Sequence, residues 1–167
     1  MPDNGYDRIA AVEYARKWAF SRNPDYIDFH GLGGDCTNFV SQCLYAGGGV
    51  MNFTPIFGWY YISSYNRTAS WTGVEYFYNF MVNNEGAGPY ATETDQYGME
   101  IGDVIQLEGE GLDIFTHTLL VTRVVETPEI HILVSAHTND AFMRPLSSYS
   151  YDNIRYLHIE GVRPNVV

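Results

Sequence analysis

Two stretches in the first third of the chain place apolar residues at helical spacing. In residues 7–20, Ile9 and Val12 belong to an apolar stripe, whereas the Arg, Lys and Glu residues fall elsewhere on the helix surface. In residues 36–46 the apolar side chains also share one face, and the glycines at 47–49 are a strong stop signal. The pattern therefore predicts two amphipathic helices separated by a loop.

Short runs rich in Val, Ile and Leu dominate the second half of the chain, after a third predicted helix from Ser70 to about Met81. The predicted strands are residues 103–107, 117–125, 131–135 and 154–160. Because helices come first and strands follow, the predicted class is α+β, with N-terminal helices packed on an antiparallel sheet. The length of 167 residues fits one domain over residues 1–167 with a continuous core.

The charge balance narrows the range of partners. The chain has 9 Lys and Arg residues against 20 Asp and Glu residues, a formal net charge of −11. No cluster of basic residues occurs, and both nucleic acids and anionic membrane surfaces need one. No apolar window is long enough to span a membrane, and the start lacks the basic and apolar regions of a signal peptide. We therefore expect no nucleic-acid partner and no membrane insertion.

Cys36 stands where a glycine-rich loop meets the start of the second predicted helix. A helix N-terminus carries about half a positive charge in unpaired N–H groups, which lowers the pKa of a thiol and can stabilise an oxyanion. Asp35, directly before it, is a suitable N-cap residue. Cys43 lies in mid-helix among apolar residues and is expected in the core. Cα atoms at that spacing in one helix are about 10 Å apart, too far for a disulfide.

A nucleophilic cysteine needs a base, and two histidines are placed to take part. His117 opens one predicted strand, and His137 ends the next. If those strands are antiparallel neighbours, the imidazoles can be cross-strand neighbours, with His117 as the base and His137 as its orienting partner. Asn139 and Asp140 are alternative partners from the same segment. No metal site is predicted, since neither a Cys-x-x-Cys nor a His-Glu-x-x-His spacing occurs.

Aromatic residues make up 16% of the chain, and many lie between Phe53 and Tyr78. This run carries more rings than a small domain can bury in one place, so we expect it to form one wall of the groove above Cys36 as well as part of the core. Trp59 and Trp71 are its substrate-binding candidates. The alternative is that the rings cover the outer face of the third helix.

Four blocks of the sequence together resemble one known family. They are Gly-Gly-Asp-Cys-Thr-Asn-Phe-Val-Ser-Gln at 33–42, Gly-Asp-Val-Ile at 102–105, His-Thr-Leu-Leu-Val at 117–121 and Ser-Ala-His-Thr at 135–138. With these blocks the chain resembles the bacterial putative amidase domain family, which is similar to the NlpC/P60 and CHAP peptidoglycan hydrolases. The resemblance extends from about Tyr6 to Ile159.

The resemblance implies a papain-like fold, cleavage of an amide bond through a thioester, and no cofactor. It implies Cys36 as the nucleophile, His117 as the base and His137 at the position of the third catalytic residue. NlpC/P60 enzymes usually have Asp-Cys-Ser-Gly where this chain has Asp-Cys-Thr-Asn, and an upstream tyrosine often supports their oxyanion site. The further candidates for the substrate and oxyanion sites are Tyr26, Asp35 and Asn38.

Together with the resemblance, these residues predict a thiol-dependent amidase or peptidase that acts on peptidoglycan stem peptides or on the glycan–peptide amide. Action outside the cytoplasm or at the cell wall is implied by the resemblance alone. Because wall polymers are anionic, an acidic domain would need another module or partner for targeting. A transacylase, or a peptidase for other substrates, would keep the same nucleophile. A non-catalytic module would instead use the aromatic run to bind a peptide or a sugar.

Overall fold

The computed structural model describes residues 2–165. In chain order its elements are α1 (Arg8–Trp18), α2 (Cys36–Gly48), β1 (Tyr61–Ser63), β2 (Asn66–Arg67), α3 (Ala69–Thr72), α4 (Val74–Asn83), β3 (Gly88–Thr94), β4 (Val104–Glu108), β5 (Phe115–Val125), β6 (His131–Ala136), β7 (Ala141–Pro145) and β8 (Asn153–Arg163). Short 3-10 turns occupy Gln96–Gly98 and Leu146–Ser148. The predicted α+β class is confirmed. Among the helices of residues 2–165, none is both long and apolar enough to cross a membrane.

The main sheet has six strands in the order β3-β8-β4-β5-β6-β7, and each neighbouring pair is antiparallel. β1 and β2 form a separate hairpin. Helix α2 packs on β5 near the middle of the sheet. At the start of both elements, Thr37 Oγ1 and Thr118 Oγ1 are hydrogen-bonded at 2.9 Å. The first residues of α2 therefore lie beside the first residues of β5, which brings Cys36 and His117 to the same region.

The first two predicted helices are confirmed, with ends within two residues of those expected. Asp7 caps α1, because its carboxylate accepts a hydrogen bond from the backbone N of Ala10 at 3.0 Å. The third predicted helix is two helices, α3 and α4, which meet at Gly73. That residue is extended, with φ −110° and ψ 132°, so the helical hydrogen-bond ladder is interrupted there.

All four predicted strands are present as β4, β5, β6 and β8. Two further strands of the main sheet, β3 and β7, were not predicted. Both lie at the edges of the sheet, and most of their residues are exposed or only half-buried. An edge strand needs less apolar surface than a central one, so its sequence carries a weaker pattern.

The central strands are covered on both faces. Along β4 and β5, consecutive apolar residues enter two different clusters: Val104 and Leu120 pack with the helices, whereas Ile105 and Leu119 pack on the opposite face. All four side chains are fully buried. This arrangement explains why these strands appear in the sequence as continuous apolar runs rather than as alternating ones.

The carboxylate of Asp103 joins α1 to the sheet. Its Oδ1 accepts from Arg8 Nη1 at 2.7 Å and from the backbone N of Ile159 at 2.9 Å. Its Oδ2 accepts from the backbone N of Glu100 at 2.8 Å and lies 2.9 Å from Nδ1 of His158. Since Asp103 is fully buried, these contacts replace all of its hydration.

Replacing Asp103 with Ala is expected to lower the free energy of unfolding by about 3–5 kcal/mol, because the Arg8 guanidinium would lose the buried carboxylate that it faces. Urea denaturation, monitored by circular dichroism, measures this change in the free energy of unfolding. The control is Glu100→Ala, whose carboxylate is 59% exposed and 3.7 Å from Arg8; the expected loss there is below about 1 kcal/mol. Equal losses in the two variants would contradict the role given to Asp103.

Candidate active site

The loop before α2 contains glycines where the backbone has positive φ. Gly33 and Gly34 have φ of 104° and 102°, values that a residue with a Cβ rarely adopts. Asp35 follows at once, and Cys36 is the first residue of α2. The turn therefore delivers the thiol to a helix N-terminus, as the sequence predicts.

Cys36 and His117 line one groove of about 450 Å³. It is bordered by the loop before α2, the start of β5, the turn between β6 and β7, and the segment that follows β7. Other residues along its walls are Gly33, Gly34, Thr138, Asn139, Arg144, Ser148 and Tyr149. The structure thus brings the predicted nucleophile and the predicted base to one cavity.

The sulfur of Cys36 is largely withdrawn from solvent, since the residue is only 6% exposed. Sγ lies 3.8 Å from Oγ1 of Thr37 and 3.9 Å from the backbone O of Thr116. Burial raises the pKa of the Cys36 thiol, and hydrogen bonds from the backbone N–H groups of Thr118 and Thr37 offset only part of that effect. The prediction of a lowered thiol pKa is therefore wrong for the free protein, because lost hydration outweighs the helix N-terminus.

The imidazole of His117 is half-buried at the start of β5. Burial, together with the positive charge of Arg144, lowers the pKa of His117 to about 4. Its ring centroid lies 5.8 Å from that of Tyr149, and within residues 2–165 neither ring nitrogen makes a hydrogen bond. His117 is therefore a neutral imidazole at pH 7, with one ring nitrogen free to donate a hydrogen bond and the other free to accept a proton.

His137 contacts Asp35 rather than His117. Its Nδ1 is hydrogen-bonded to Oδ2 of Asp35, and its Nε2 lies 2.8 Å from the backbone O of Trp18. A carbonyl oxygen can only accept, so Nε2 carries a hydrogen and both ring nitrogens are engaged. The ring also stacks on Phe39, with 3.9 Å between centroids. The prediction that His137 orients His117 is wrong, because the turn after β6 buries His137 against α2 instead.

Donors from several segments surround the carboxylate of Asp35. Oδ1 accepts from the backbone N of Phe29 and from Nδ2 of Asn38, both at 2.9 Å. Oδ2 contacts His137, and Nε of Arg22 lies 3.6 Å away. Asp35 therefore occupies the N-cap position without a side-chain capping bond. It is also not part of the groove wall, so its predicted substrate role is corrected to a structural one.

The turn between β6 and β7 supplied two other candidates for the third catalytic position. Asp140 forms hydrogen bonds of 2.9 and 3.1 Å to the guanidinium of Arg22. Asn139 lines the groove with His117. Thr138 and Asn139 have φ of 70° and 55°. A β-branched residue such as Thr138 is rarely left-handed, so the packing around the groove holds this turn in a strained conformation.

The aromatic and amide candidates for substrate binding belong to the core. Trp59 and Trp71 are fully buried, with 4.4 Å between ring centroids. Trp71 Nε1 donates to Oδ1 of Asn38 at 3.0 Å, and the Tyr26 ring stacks on Trp71 at 6.1 Å. None of these four residues lines the groove that contains Cys36. Their predicted substrate or oxyanion roles are therefore not supported, because the two Trp rings and Asn38 are buried beside α2 and the half-buried Tyr26 packs on them.

The exposed part of the aromatic run lies at a different place. Phe57 and Tyr76, both exposed, line a second groove of about 460 Å³ beside α4, which does not include Cys36. The prediction that the run forms a wall above Cys36 is wrong. Tyr76 on α4 is 63% exposed. Its position agrees with the alternative, in which the rings cover the outer face of the third predicted helix.

Two groove residues, Arg144 and Tyr149, were missed. The guanidinium carbon of Arg144 lies 3.8 Å from the ring centroid of Tyr149, and its Nε donates to Oγ of Ser148 at 2.8 Å. Arg144 lies on the unpredicted edge strand β7, and Tyr149 follows the 3-10 turn after it. Nothing in the local sequence indicates that these residues meet Cys36 and His117.

One cluster has the residue types of a metal site. Ligand atoms of Glu100, Asp103 and His158 lie within 4.8 Å of one another. Both carboxylate oxygens of Asp103 already accept hydrogen bonds from protein donors, among them the guanidinium of Arg8. The cluster is therefore accounted for as the anchor between α1 and the sheet.

The fold and the groove define an α+β protein in which a cysteine at a helix N-terminus shares a cavity with a strand histidine. The family described as Putative amidase domain matches residues 5–159, and the chain belongs to that family. The family's description indicates hydrolysis of amide bonds in general.

The chain is also similar to uncharacterized protein YhbB of Bacillus subtilis (strain 168), with 39% identity over 143 residues. That match covers 83% of this chain and 43% of the relative, so the chain spans less than half the length of that protein. No solved structure matches the chain.

Iodoacetamide is expected to alkylate Cys36 and to leave Cys43 unmodified in the native protein. Cys36 lines a groove, whereas Cys43 is fully buried among apolar residues. Because burial raises the pKa of the Cys36 thiol, the labelling rate should be low at pH 7 and rise steadily above pH 8, as the thiolate fraction grows. Peptide mapping by mass spectrometry gives the site, and Cys36→Ala is the control. Preferential labelling of Cys43 would contradict the assignment.

Replacing His137 with Ala is expected to lower the free energy of unfolding by about 3–5 kcal/mol, because the buried Asp35 carboxylate loses its partner. Urea denaturation measures the loss. The control is His131→Ala, whose side chain is 55% exposed and should change stability by less than about 0.5 kcal/mol. Unchanged stability in His137→Ala, combined with loss of activity, would return His137 to a catalytic role.

Proposed function

We propose that the chain is a single papain-like domain that hydrolyses amides through a thioester on Cys36, with His117 as the base. The observation that carries the proposal is the shared groove. The first residue of α2 contributes a thiol to it, and the third residue of β5 contributes a neutral imidazole. The family supports amide hydrolysis in general. A thiol beside a base is the arrangement that nucleophilic catalysis requires.

The protonation states favour base-assisted attack over a preformed ion pair. Burial raises the pKa of the Cys36 thiol and lowers the pKa of His117, so the free protein holds a neutral thiol and a neutral imidazole. As Sγ forms its bond to the amide carbonyl, His117 removes the thiol proton. The carbonyl π electrons pass to oxygen and produce a tetrahedral oxyanion.

The start of α2 can stabilise that oxyanion. The N–H groups in the first turn of a helix have no hydrogen-bond acceptor within the helix, and the backbone N–H of Cys36 is one of them. The His117 imidazolium then protonates the leaving nitrogen, and the C–N bond breaks to give the thioester. Water, deprotonated by His117, attacks the thioester, and the thiol departs with that proton. The products are a carboxylic acid and an amine.

Asn139 is the remaining candidate for the third position. It shares the groove with His117, whereas the other two candidates are engaged: His137 with Asp35, and Asp140 with Arg22. The side-chain amide of asparagine can accept a hydrogen bond from one imidazole nitrogen and leave the other facing the thiol. Asn139 would therefore act as a positioning residue for the His117 ring.

Peptidoglycan stem peptides are the proposed substrates, in keeping with the resemblance to cell-wall hydrolases. The net charge of −11 disfavours long-range attraction to anionic wall polymers. The relative of similar sequence is more than twice as long as the region matched. We propose that a separate module or partner brings the domain to the cell wall.

Hydrolysis of purified muropeptides, with products identified by mass spectrometry, tests the proposal. Cys36→Ala should abolish hydrolysis, and His117→Ala should lower kcat/KM about 100-fold or more. Cys43→Ala, which removes a core thiol outside the groove, should keep wild-type kcat/KM. Because only the neutral imidazole can take a proton, kcat/KM should fall as the pH drops through about 4, the pKa of His117 in the free protein. Hydrolysis by Cys36→Ala at the wild-type rate would overturn the thiol mechanism.

A further inference from the structure

The groove differs in charge from the protein as a whole. Among the described residues that line it, Arg144 is the only Arg or Lys, and no Asp or Glu is present. The full chain has a net charge of −11. A cavity wall with one fixed positive charge, within an otherwise acidic protein, indicates a preference for an anionic group inside the groove.

The guanidinium of Arg144 is held in place by neutral partners. Nε and Nη2 donate to Oγ and O of Ser148 at 2.8 and 3.2 Å, and the guanidinium lies over the Tyr149 ring. Oγ of Ser148 in turn donates to the backbone O of Pro145 at 2.7 Å. Contacts of this kind fix the orientation of the side chain without neutralising its charge.

The charge of Arg144 has no counterion in the described part of the chain. No carboxylate oxygen of residues 2–165 lies within 4.0 Å of its nitrogens, and Nη1 makes no hydrogen bond there. By comparison, Arg8, Arg22 and Arg155 each pair with at least one acid. An oriented guanidinium with a free Nη1 is a suitable donor for a ligand carboxylate.

Arg144 is also coupled to the base. Its positive charge contributes to the low pKa of His117, after burial. An anion bound to Arg144 would cancel that contribution and raise the pKa of His117, which strengthens the base while the substrate occupies the groove. Substrate charge and catalytic power would then be linked through one side chain.

We infer that Arg144 is a specificity-determining residue that binds a free carboxylate of the substrate, within the groove that holds the scissile amide. This inference rests on the proposed function, because it assigns the substrate class of the same site. It also accounts for how an acidic domain accepts an anionic peptide: the attraction is local and short-ranged. Stem peptides, which carry free carboxyl groups close to their amide bonds, have the required chemistry.

The test uses the stem tripeptide L-alanyl-γ-D-glutamyl-meso-diaminopimelate and analogues in which one carboxylate at a time is converted to the carboxamide. Binding is measured by isothermal titration calorimetry on Cys36→Ala, which cannot turn the ligand over. One amidation should weaken binding about tenfold or more, the usual effect of losing a charge-assisted hydrogen bond. In Cys36→Ala/Arg144→Gln the acid and the amide should bind equally.

Two further variants separate charge from structure. Arg144→Lys, which keeps the charge but loses the fork geometry, should retain part of the preference for the acid. Arg123→Gln removes an exposed cation on β5 outside the groove and should leave the preference unchanged. In the wild-type background, Arg144→Gln should also shift the acid limb of the kcat/KM profile to higher pH, because the repulsion on His117 is removed; a purely structural role would not move it.

The outcomes distinguish the two proposals. Equal binding of every acid and amide pair to Cys36→Ala, alongside hydrolysis by the wild type, would overturn the carboxylate subsite and leave the amidase intact. A preference for the acid that depends on Arg144, without hydrolysis by the wild type, would support the subsite and remove the proposed reaction. If Arg123→Gln also lost the preference for the acid over the amide, the preference would be due to overall charge, and the inference would be overturned.

Discussion

The buried contact between Asp35 and His137 is the interaction on which the geometry of the groove depends. Asp35 directly precedes Cys36, and His137 lies in the turn that follows β6. The other nitrogen of His137 contacts the backbone of Trp18, the last residue of α1. One imidazole therefore joins the end of one helix, the start of the next and a turn of the sheet. The position of the Cys36 sulfur relative to β5 follows from this connection, because the residue before it cannot move independently.

Desolvation sets the chemistry of the groove. A thiol at a helix N-terminus is commonly associated with an ionised sulfur, but here burial outweighs the hydrogen bonds from Thr118 and Thr37 and raises the pKa of Cys36. Burial acts on His117 in the opposite direction and favours its neutral form. In the proposed mechanism these two neutral groups would act as an acid and a base that exchange a proton during attack. The positive charge of Arg144 also lowers the pKa of His117, and under the proposed function an anion bound to Arg144 would offset that effect.

Much of the fold follows from local pattern, because the signals concerned act over a few residues. The apolar periodicity and the triple glycine predict α2, and the continuous apolar runs predict β4, β5, β6 and β8. The edge strands β3 and β7 were not predicted, because half-exposed strands need few apolar residues and leave a weak pattern in the sequence. The break between α3 and α4 at Gly73 was also not predicted, because a single extended residue leaves the helical periodicity on both sides almost unchanged. The aromatic run was misassigned for a related reason: ring content indicates burial or binding, and it does not say which.

Local features of the sequence are enough to identify the two groups that can carry chemistry. A glycine turn before Cys36 and the place of His117 at the beginning of a strand are both local features, and the structure puts the two residues in one groove. The surroundings of these two groups depend on the packing of distant segments. The local sequence places His137 at the end of a strand but does not specify which side chain it contacts. The packing of α1, α2 and Phe39 directs it to Asp35 instead of His117. Arg144 and Tyr149 meet the groove only because an edge strand and its following turn close over it. Such contacts depend on how distant segments pack, a property that no short window of residues encodes.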